Sequence, residues 1–340
     1  MHPLRKPKKL QEGDTVAAIS ISGGRAGDAD MLERYQTGKK RLEAIFGLKV
    51  TETPHALSGS EYLYRNPKAR ADDLHQALLD PNIKAIIANM GGDDSYRLLP
   101  FIDYGLIAQN PKIYLGYSDI SSSHNMFTHA GVSSFYGPNL LTPIAQPAEL
   151  DPYTEKWLRK VLFTNEAIGQ IEPCPAWTGI EWTKTKAGEI QWHKNPGYEL
   201  LQGKGKESGR LLGGCGGPLR QIMGSPVFPT AEMWKDSILF LEFLAPYGGN
   251  SALYMLHEQR AFAAAGIFRL AKGMICPALS DDAKAVLRKV MREEEGLEDF
   301  PILVNVDFGH RTPMTVLPIG ALAEIDCENR TFSILESGVE

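Results

Sequence analysis

The chain has 340 residues, of which 43% are hydrophobic and 23% charged. This composition is typical of folded globular proteins and excludes a disordered or fibrous chain, and a chain of this length usually forms about two domains. The net charge of −5 leaves no basic excess that would attract a nucleic-acid backbone, so nucleic acid is not an expected partner.

The sequence shows neither a clear targeting signal nor a cysteine pattern typical of metal sites or disulfides. The basic residues 1–9 are like the start of a signal peptide, but Leu10-Gln11-Glu12-Gly13-Asp14 interrupts any apolar segment after them. No apolar run approaches the ~20 residues needed to span a bilayer. The four cysteines lie far apart, which argues against a zinc site and a disulfide framework. We therefore expect a soluble cytoplasmic protein with no membrane partner.

The first half alternates apolar runs with helical patterns. The apolar runs predict buried strands at 16–22, 83–89 and 112–116. Apolar residues at helical spacing predict helices at 30–46, after the N-cap and first-turn proline Asn66-Pro67, and from Asp151-Pro152 to about 162. Apolar strands separated by helices indicate a parallel sheet covered on both faces.

The regular alternation of apolar runs and helical patterns is lost after residue 170. Residues 171–198 show no sustained period and contain Trp177, Trp182 and Trp192, which fits either a lid over a binding site or a packed connector. Beyond them the sequence predicts strands at 237–243 and 301–306, helices at 250–265 and 280–295, and a closing hairpin at 321–335. Ser280 is the expected N-cap of the 280–295 helix.

Ser118 is the candidate nucleophile. It follows the apolar strand that ends at Gly116 and precedes a helical pattern, so its hydroxyl would lie on a tight strand-to-helix turn. The N–H of Asp119 at the helix N-terminus could then stabilise an oxyanion. Ile120 stands where the second glycine of G-x-S-x-G would be, and a plain helix N-cap at Ser118 or Asp119 is the alternative.

A nucleophilic serine needs a base and a group that orients it. Among eight histidines, His310 alone directly follows a predicted strand in a polar loop, where catalytic groups of α/β sheets gather. Glu242 lies inside an apolar strand, where an ionised carboxylate is costly unless it is paired. The alternative for Glu242 is an edge-strand charge that points to solvent.

A paired-glycine turn, Gly91-Gly92, follows the strand at 83–89. Glycines let a backbone N–H come close to a ligand, which suits a second oxyanion donor. A phosphate-binding loop is the alternative, although neither G-x-x-x-x-G-K-[ST] nor a spaced G-x-G-x-x-G is present.

Together these elements resemble the serine peptidases that include the LD-carboxypeptidases and the microcin C self-immunity (MccF-like) proteins. The resemblance covers nearly the whole chain and includes Gly116-Tyr117-Ser118-Asp119, Phe135-Tyr136-Gly137-Pro138 and Asp307-Phe308-Gly309-His310-Arg311. It implies a Ser118–Glu242–His310 triad, an oxyanion hole at the N–H groups of Gly92 and Asp119, no metal or other cofactor, and a homodimer.

The implied fold is an N-terminal doubly wound parallel-sheet (Rossmann- or flavodoxin-like) α/β domain, at 1–165, and a C-terminal mixed α/β domain, at 201–340. A tryptophan-rich connector or substrate loop at 166–200 joins them. The MccF-like branch is favoured because this loop is long, and it implies that Trp177 or Trp182, with Gly91, contacts an aminoacyl- or peptidyl-nucleotide substrate.

Two alternatives remain open at this point. One is an LD-carboxypeptidase that cleaves murein tetrapeptides, and the other is a non-catalytic protein that binds a nucleotide. The run Phe243-Leu244-Ala245-Pro246 after Glu242 is less polar than the resemblance would lead us to expect.

Overall fold

A computed structural model describes residues 3–179, 190–244 and 251–340. The first half follows the predicted alternation, and its strands are β1 (Thr15–Ile19), β2 (Lys49–Glu52), β3 (Ile83–Ala88), β4 (Ile113–Gly116) and β5 (Phe135–Tyr136). Its helices are α1 (Leu32–Phe46), α2 (Ser60–Arg65), α3 (Pro67–Leu79), α4 (Tyr104–Gln109), α5 (Ile120–His129) and α6 (Pro152–Leu162).

The second half contains strands of very different lengths. They are β6 (Gly169–Ile171), β7 (Ala176–Gly179), β8 (His193–Lys194), β9 (Glu199–Gln202), β10 (Lys206–Cys215), β11 (Ser237–Glu242), β12 (Gly273–Ile275), β13 (Ile302–Val304), β14 (Arg311–Thr312), β15 (Leu317–Pro318), β16 (Leu322–Asp326) and β17 (Thr331–Ile334). Its helices are α7 (Gly216–Gln221), α8 (Ala231–Trp234), α9 (Ser251–Ala264), α10 (Ile267–Leu270) and α11 (Asp281–Arg288), which continues as a π-helical turn at Lys289–Glu294.

The first sheet has the order β15-β5-β4-β3-β1-β2 in the described part of the chain. The pairs β2–β1, β1–β3, β3–β4 and β4–β5 are parallel, and β15 adds an antiparallel edge strand. The central strands are buried because helices cover both faces, as their continuous apolar sequences predict. The predicted doubly wound parallel sheet is confirmed, and β15 shows that the chain returns to it from the second half.

The second sheet is mixed, as predicted. Its order over the described residues is β6-β17-β16-β10-β11-β12-β13-β9, with parallel pairing from β10 to β13 and antiparallel strands on both sides. Strands β14, β7 and β8 form a third, small antiparallel sheet. The segment after residue 170 is therefore partly ordered by pairing with distant strands, although its sequence shows no period.

The predicted side-chain cap forms at two of the three predicted helix N-termini. The Asp151 side chain accepts a hydrogen bond from Tyr153 N, and Ser280 Oγ accepts one from Ala283 N. Asn66 precedes α3 and Pro67 begins it, but the Asn66 side chain does not cap the helix. Its amide donates instead to the carbonyl of Tyr62, because α2 ends immediately before it.

No helix among the described residues is both long and apolar enough to cross a membrane. Both large sheets direct the carboxyl ends of parallel strands to the same region. Ser22 and the Gly91-Gly92 turn follow β1 and β3, Ser118 follows β4, and Glu242 ends β11. This is the region where α/β sheets bind ligands.

Candidate active site

Ser118 lies on a strained turn between β4 and α5. Its φ of 69° is in the left-handed region, which costs an L-residue other than glycine about 1–3 kcal/mol. The turn is held by Ser121, whose N–H and Oγ both donate to the Ser118 carbonyl, at 2.9 and 2.7 Å. A serine forced outward in this way is typical of a nucleophile at a strand-to-helix turn.

The Gly91-Gly92 turn faces the hydroxyl of Ser118. A Cβ added at Gly91 would lie 2.8 Å from Ser118 Cβ, 3.0 Å from Ser118 Oγ and 3.4 Å from Asp119 N. A Cβ at Gly92 would collide with Ser22 Oγ and would lie 2.8 Å from Gly23 N. Both positions therefore require glycine because the chain passes so close to its neighbours.

The Asp119 carboxylate links this glycine turn to the turn that carries Ser118. Its Oδ2 accepts hydrogen bonds from Ser22 Oγ at 2.5 Å, Ser95 N at 2.8 Å and Asp94 N at 3.1 Å. Burial raises the pKa of Asp119, although the hydrogen bonds from Ser22 and Ser95 oppose that rise. Asp119 sits at the N-cap position of α5 but makes no side-chain cap, so the plain-cap alternative does not describe it.

Glu242 and His310 form a direct pair. Glu242 Oε1 accepts from His310 Nδ1 at 2.6 Å and from His310 N at 2.5 Å. A Cβ at Gly309 would collide with the Glu242 carboxylate, so only glycine lets the loop approach this closely. With Nδ1–H directed at the carboxylate, the other ring nitrogen, Nε2, is the one that can accept a proton.

Glu242 is buried and paired, so it does not point to solvent. Burial alone would raise its pKa, but the charge of His310 and the hydrogen bonds from His310 and Tyr136 outweigh burial. The net effect holds the pKa of Glu242 below its ordinary value, so the carboxylate is ionised at neutral pH.

The imidazole of His310 lies beside the turn that carries Ser118. The ring of His310 packs edge-on against the ring of Tyr117, with centroids 5.1 Å apart, and Tyr117 directly precedes Ser118. Within the described residues Ser118 Oγ and His310 make no hydrogen bond with each other. The structure thus brings Ser118, Glu242, His310, Gly92 and Asp119 into one neighbourhood, with the serine–histidine contact open.

Tyr136 also belongs to the candidate site, although in the sequence it stood out only as part of the motif Phe135-Tyr136-Gly137-Pro138. Its hydroxyl donates to Glu242 Oε2 at 2.8 Å and accepts from Ser118 N at 3.2 Å. Burial first, and then the charge of Glu242, raises the pKa of Tyr136 far above its ordinary value, so the phenol keeps its proton. The signal in the sequence was a tyrosine at the end of a short apolar strand, which is too common to single out.

Of the two tryptophans proposed to contact substrate, the structure describes only Trp177. Trp182 lies outside the described residues. Trp177 lies on β7, with the Arg311 guanidinium 4.9 Å from its ring centroid and the His193 ring 5.1 Å away. Arg311 follows His310 directly, so Trp177 lies near the loop that carries the histidine.

A small cavity of about 20 Å³, which is room for about one water molecule, lies next to these residues and is lined in part by Thr178 and Gly179 of β7. Its lining includes Thr142, Thr178 and Thr312, and Thr142 Oγ1 is 2.8 Å from the hydroxyl of Tyr117. Thr312 is two residues from His310, and Thr142 contacts the residue that precedes Ser118, so the cavity lies near both. In the described part of the chain no three His, Cys, Asp or Glu side chains are grouped so that they could hold a metal ion.

Comparison with known families gives two matches that follow one another along the chain. Residues 16–137 match the LD-carboxypeptidase N-terminal domain, and residues 208–325 match the LD-carboxypeptidase C-terminal domain. The first match contains Ser118 and the glycine turn, and the second contains Glu242 and His310.

Relatives of both kinds are similar over most of the chain. The microcin C7 self-immunity protein MccF of Escherichia coli is 30% identical over 98% of this chain and 96% of its own. The murein tetrapeptide carboxypeptidase of Pseudomonas aeruginosa is 34% identical over 84% of this chain and 86% of its own.

Solved structures agree with these matches. The MccF-like protein from Streptococcus pneumoniae in complex with AMP has a TM-score of 0.85 at 27% identity, covering 95% of this chain and 98% of that one. MccF in complex with aspartyl sulfamoyl adenosine also has a TM-score of 0.85, at 26% identity, covering 98% and 99%. The chain therefore belongs to the LD-carboxypeptidase family, and as a member of it this protein is a serine hydrolase.

Proposed function

We propose that this protein hydrolyses the amide-type bond of an aminoacyl- or peptidyl-nucleotide, with Ser118 as nucleophile, His310 as base and Glu242 as the orienting carboxylate. The observation that carries the proposal is the continuous hydrogen-bonded connection between the nucleophile turn and the acid–base pair. It runs from Ser118 N to Tyr136 and on to Glu242 and His310.

The reaction would proceed through an acyl-enzyme. His310 Nε2 accepts the proton of Ser118 Oγ as this oxygen attacks the scissile carbonyl carbon. The N–H groups of Gly92 and Asp119 donate to the oxyanion, and His310 then protonates the leaving nitrogen as the C–N bond breaks. Water hydrolyses the acyl-enzyme in the same way and releases Ser118. Ionised Glu242 stabilises the imidazolium at each stage.

The Ser118–His310 hydrogen bond would close when substrate is bound, as is common for catalytic contacts that are open in a free enzyme. The strained turn at Ser118 and the ring contact between Tyr117 and His310 keep the two groups close until then. Binding energy would thus be used to complete the site.

The proposed substrate class is supported by the relatives. Two structural neighbours hold AMP or aspartyl sulfamoyl adenosine. Trp177 or Trp182 would stack on the base, because base–aromatic stacking contributes about 1–3 kcal/mol.

The second candidate is a carboxypeptidase that acts on murein tetrapeptides. The similarity to the murein tetrapeptide carboxypeptidase of Pseudomonas aeruginosa favours it. The third candidate is a protein that binds a nucleotide without catalysis. In it the tryptophans would hold the base, and Ser118 would have no chemical role.

The test compares turnover of an alanyl sulfamoyl adenosine with turnover of a murein tetrapeptide. We expect faster hydrolysis of the adenosine compound, and a loss of about 10³-fold or more in kcat for Ser118→Ala. Ser208→Ala, an exposed serine on β10, serves as the control. Faster tetrapeptide cleavage would support the second candidate. AMP binding without hydrolysis of either compound would support the third, and an active Ser118→Ala variant would refute the proposed nucleophile.

A further inference from the structure

Asp307 is a buried acid in the loop that carries His310, and the proposed mechanism does not use it. It has no exposed surface, and an ionised carboxylate in such a place is costly unless it is paired. Burial raises the pKa of Asp307, whereas the charge of Arg311 and the hydrogen bonds from Cys174 and Asn195 oppose that rise. The residues that pair with this carboxylate therefore indicate its role.

Both ends of the segment that carries Trp177 bind this one carboxylate. Before β7, Cys174 donates to it from its backbone N–H at 2.8 Å and from its thiol at 3.1 Å. After β8, the side-chain amide of Asn195 donates to it at 3.1 Å. Asn195 N also donates to the carbonyl of Pro175 at 3.1 Å, so the segment leaves and returns side by side. The Asp307 carboxylate thus joins the two ends of the strand pair β7–β8.

Arg311 extends these contacts to the tryptophan. Its guanidinium forms an ion pair with Asp307 Oδ1 at 3.1 Å and lies 4.9 Å from the centre of the Trp177 ring. Arg311 is 4% exposed, so its buried charge depends on the carboxylate. Strand β14 also pairs with β7, which places Arg311 opposite Gly179. Trp177 is therefore held against the loop of His310 by charge, by ring contact and by strand pairing.

The backbone of Asp307 supports the loop of His310 itself. The Asp307 carbonyl accepts a hydrogen bond from Thr315 N at 2.7 Å, which closes the loop around the histidine. Gly309, inside this loop, packs against the carboxylate of Glu242. One residue therefore joins the strand pair that carries Trp177 to the loop that carries the proposed base.

We propose that Asp307 is a positioning residue that holds Trp177 in a fixed place relative to His310, and so determines how strongly the enzyme prefers a substrate that carries a nucleobase. The inference rests on the proposed hydrolysis of an aminoacyl-nucleotide. Stacking on Trp177 contributes its full 1–3 kcal/mol, roughly, only when the ring is already in place, since ordering a side chain during binding costs part of that energy.

The test measures kcat/KM for alanyl sulfamoyl adenosine and for alanyl sulfamoyl ribose, which has the same scissile bond but no base. We expect Asp307→Asn to lower the adenosine-to-ribose ratio of kcat/KM at least fivefold. An asparagine has one accepting oxygen, so its NH₂ group would face a donor at one end of the segment, and it cannot pair with Arg311 by charge.

A double-mutant cycle shows whether the loss passes through the tryptophan. Trp177→Ala should lower the same ratio by a similar factor, and combining it with Asp307→Asn should lower the ratio no further, because both changes remove the same stacking contact. Losses that add, or a wild type that hydrolyses both compounds equally well, would overturn the proposal.

Two further variants separate positioning from folding. Asn195→Ala removes one bond to the carboxylate without changing the loop of His310, so it should lower the ratio and keep the turnover of the ribose compound. Asp326 is the matched control, because it is buried and accepts two backbone hydrogen bonds in a turn. It lies opposite Lys206 at the start of β10, whereas the candidate site lies at the end of that strand. Asp326→Asn should lower stability and leave the ratio unchanged. If Asp307→Asn does not fold, Asn195→Ala decides, and an unchanged ratio there overturns the proposal.

Fluorescence tests the positioning without turnover. The emission of Trp177 is the difference between each protein and its Trp177→Phe variant, and it should move to longer wavelength in Asp307→Asn because the ring loses its contact with Arg311. If the wild type hydrolyses neither compound, the proposed function fails. The emission then decides whether Asp307 positions Trp177, and an unchanged emission would show that it does not.

Discussion

Tyr136 joins the two halves of the candidate site through one phenolic oxygen. Because its only proton goes to Glu242, the oxygen lone pairs remain available to the N–H of Ser118. One side chain thereby supports the strained turn at Ser118 and orients the carboxylate that holds His310. We regard it as a positioning residue, since it is bonded to the backbone of Ser118 and to Glu242.

Replacement of Tyr136 by phenylalanine tests this role. A hydrogen bond to a charged group contributes about 1.5–3 kcal/mol, so kcat/KM should fall about tenfold to a hundredfold. The lost hydrogen bond also favoured ionised Glu242, so its pKa should rise and the acid limb of the pH–rate profile should move to higher pH. Steady-state kinetics across pH measure both effects.

Tyr114→Phe is the matched control. Tyr114 is equally buried, and its hydroxyl contacts Ser123 Oγ at 2.7 Å, outside the proposed machinery. A similar loss of activity in both variants, without a shift of the acid limb in Tyr136→Phe, would contradict a specific positioning role.

At the scale of elements, the site depends on how closely the turn after β3 approaches the turn after β4. Gly91 touches Ser118, and the Asp119 carboxylate bonds to the loop that follows Gly92. The proposed oxyanion donors come one from each turn, so their separation is fixed by this contact.

Gly91→Ala should therefore damage catalysis more than stability. The new methyl group would have to push Ser118 or the glycine turn aside, and we expect kcat to fall about a hundredfold, the loss typical of a missing oxyanion donor. Gly224→Ala provides the contrast, because Gly224 has a φ of 81° with open space around it. That variant should lose about 1 kcal/mol of stability and keep its activity. Equal activity of the two variants would refute the argument.

The sequence predicted those parts of the site that follow strands directly. Ser118 and Gly92 come after buried strands, and Glu242 is an acid within one, so local pattern made them candidates, and the family resemblance then implied their roles. The role of Tyr136 could not be predicted, because it depends on contacts between elements far apart in the chain. Separation along the chain also explains the segment after 170, where β7 pairs with the distant β14 as well as with β8, and β9 pairs with the distant β13. Short strands of this kind have no periodic sequence of their own.

At the scale of the whole molecule, the chain ends fasten the two large sheets together. The edge strand β15 crosses from the second half to pair with β5. The C-terminal Glu340 exchanges two backbone hydrogen bonds with Pro7 and Lys9, at 2.9 and 3.0 Å, next to the buried side chain of Val339. A break in either region would expose apolar surface of both halves, so we expect the two sheets to unfold in one transition.

This prediction can be measured with one buried tryptophan in each half. Trp157 lies on α6 and Trp234 at the end of α8, and the remaining tryptophans would be replaced by phenylalanine in each reporter. The two urea transitions should coincide. Deleting residues 338–340 should lower the free energy of unfolding reported by both tryptophans equally, by about 3 kcal/mol, since it removes a buried valine and two backbone hydrogen bonds. Two separate transitions, or a deletion that moves only one of them, would show that the sheets unfold independently. The site between them would then depend on weak association of the halves, because Tyr136 and Glu242 come from opposite sheets.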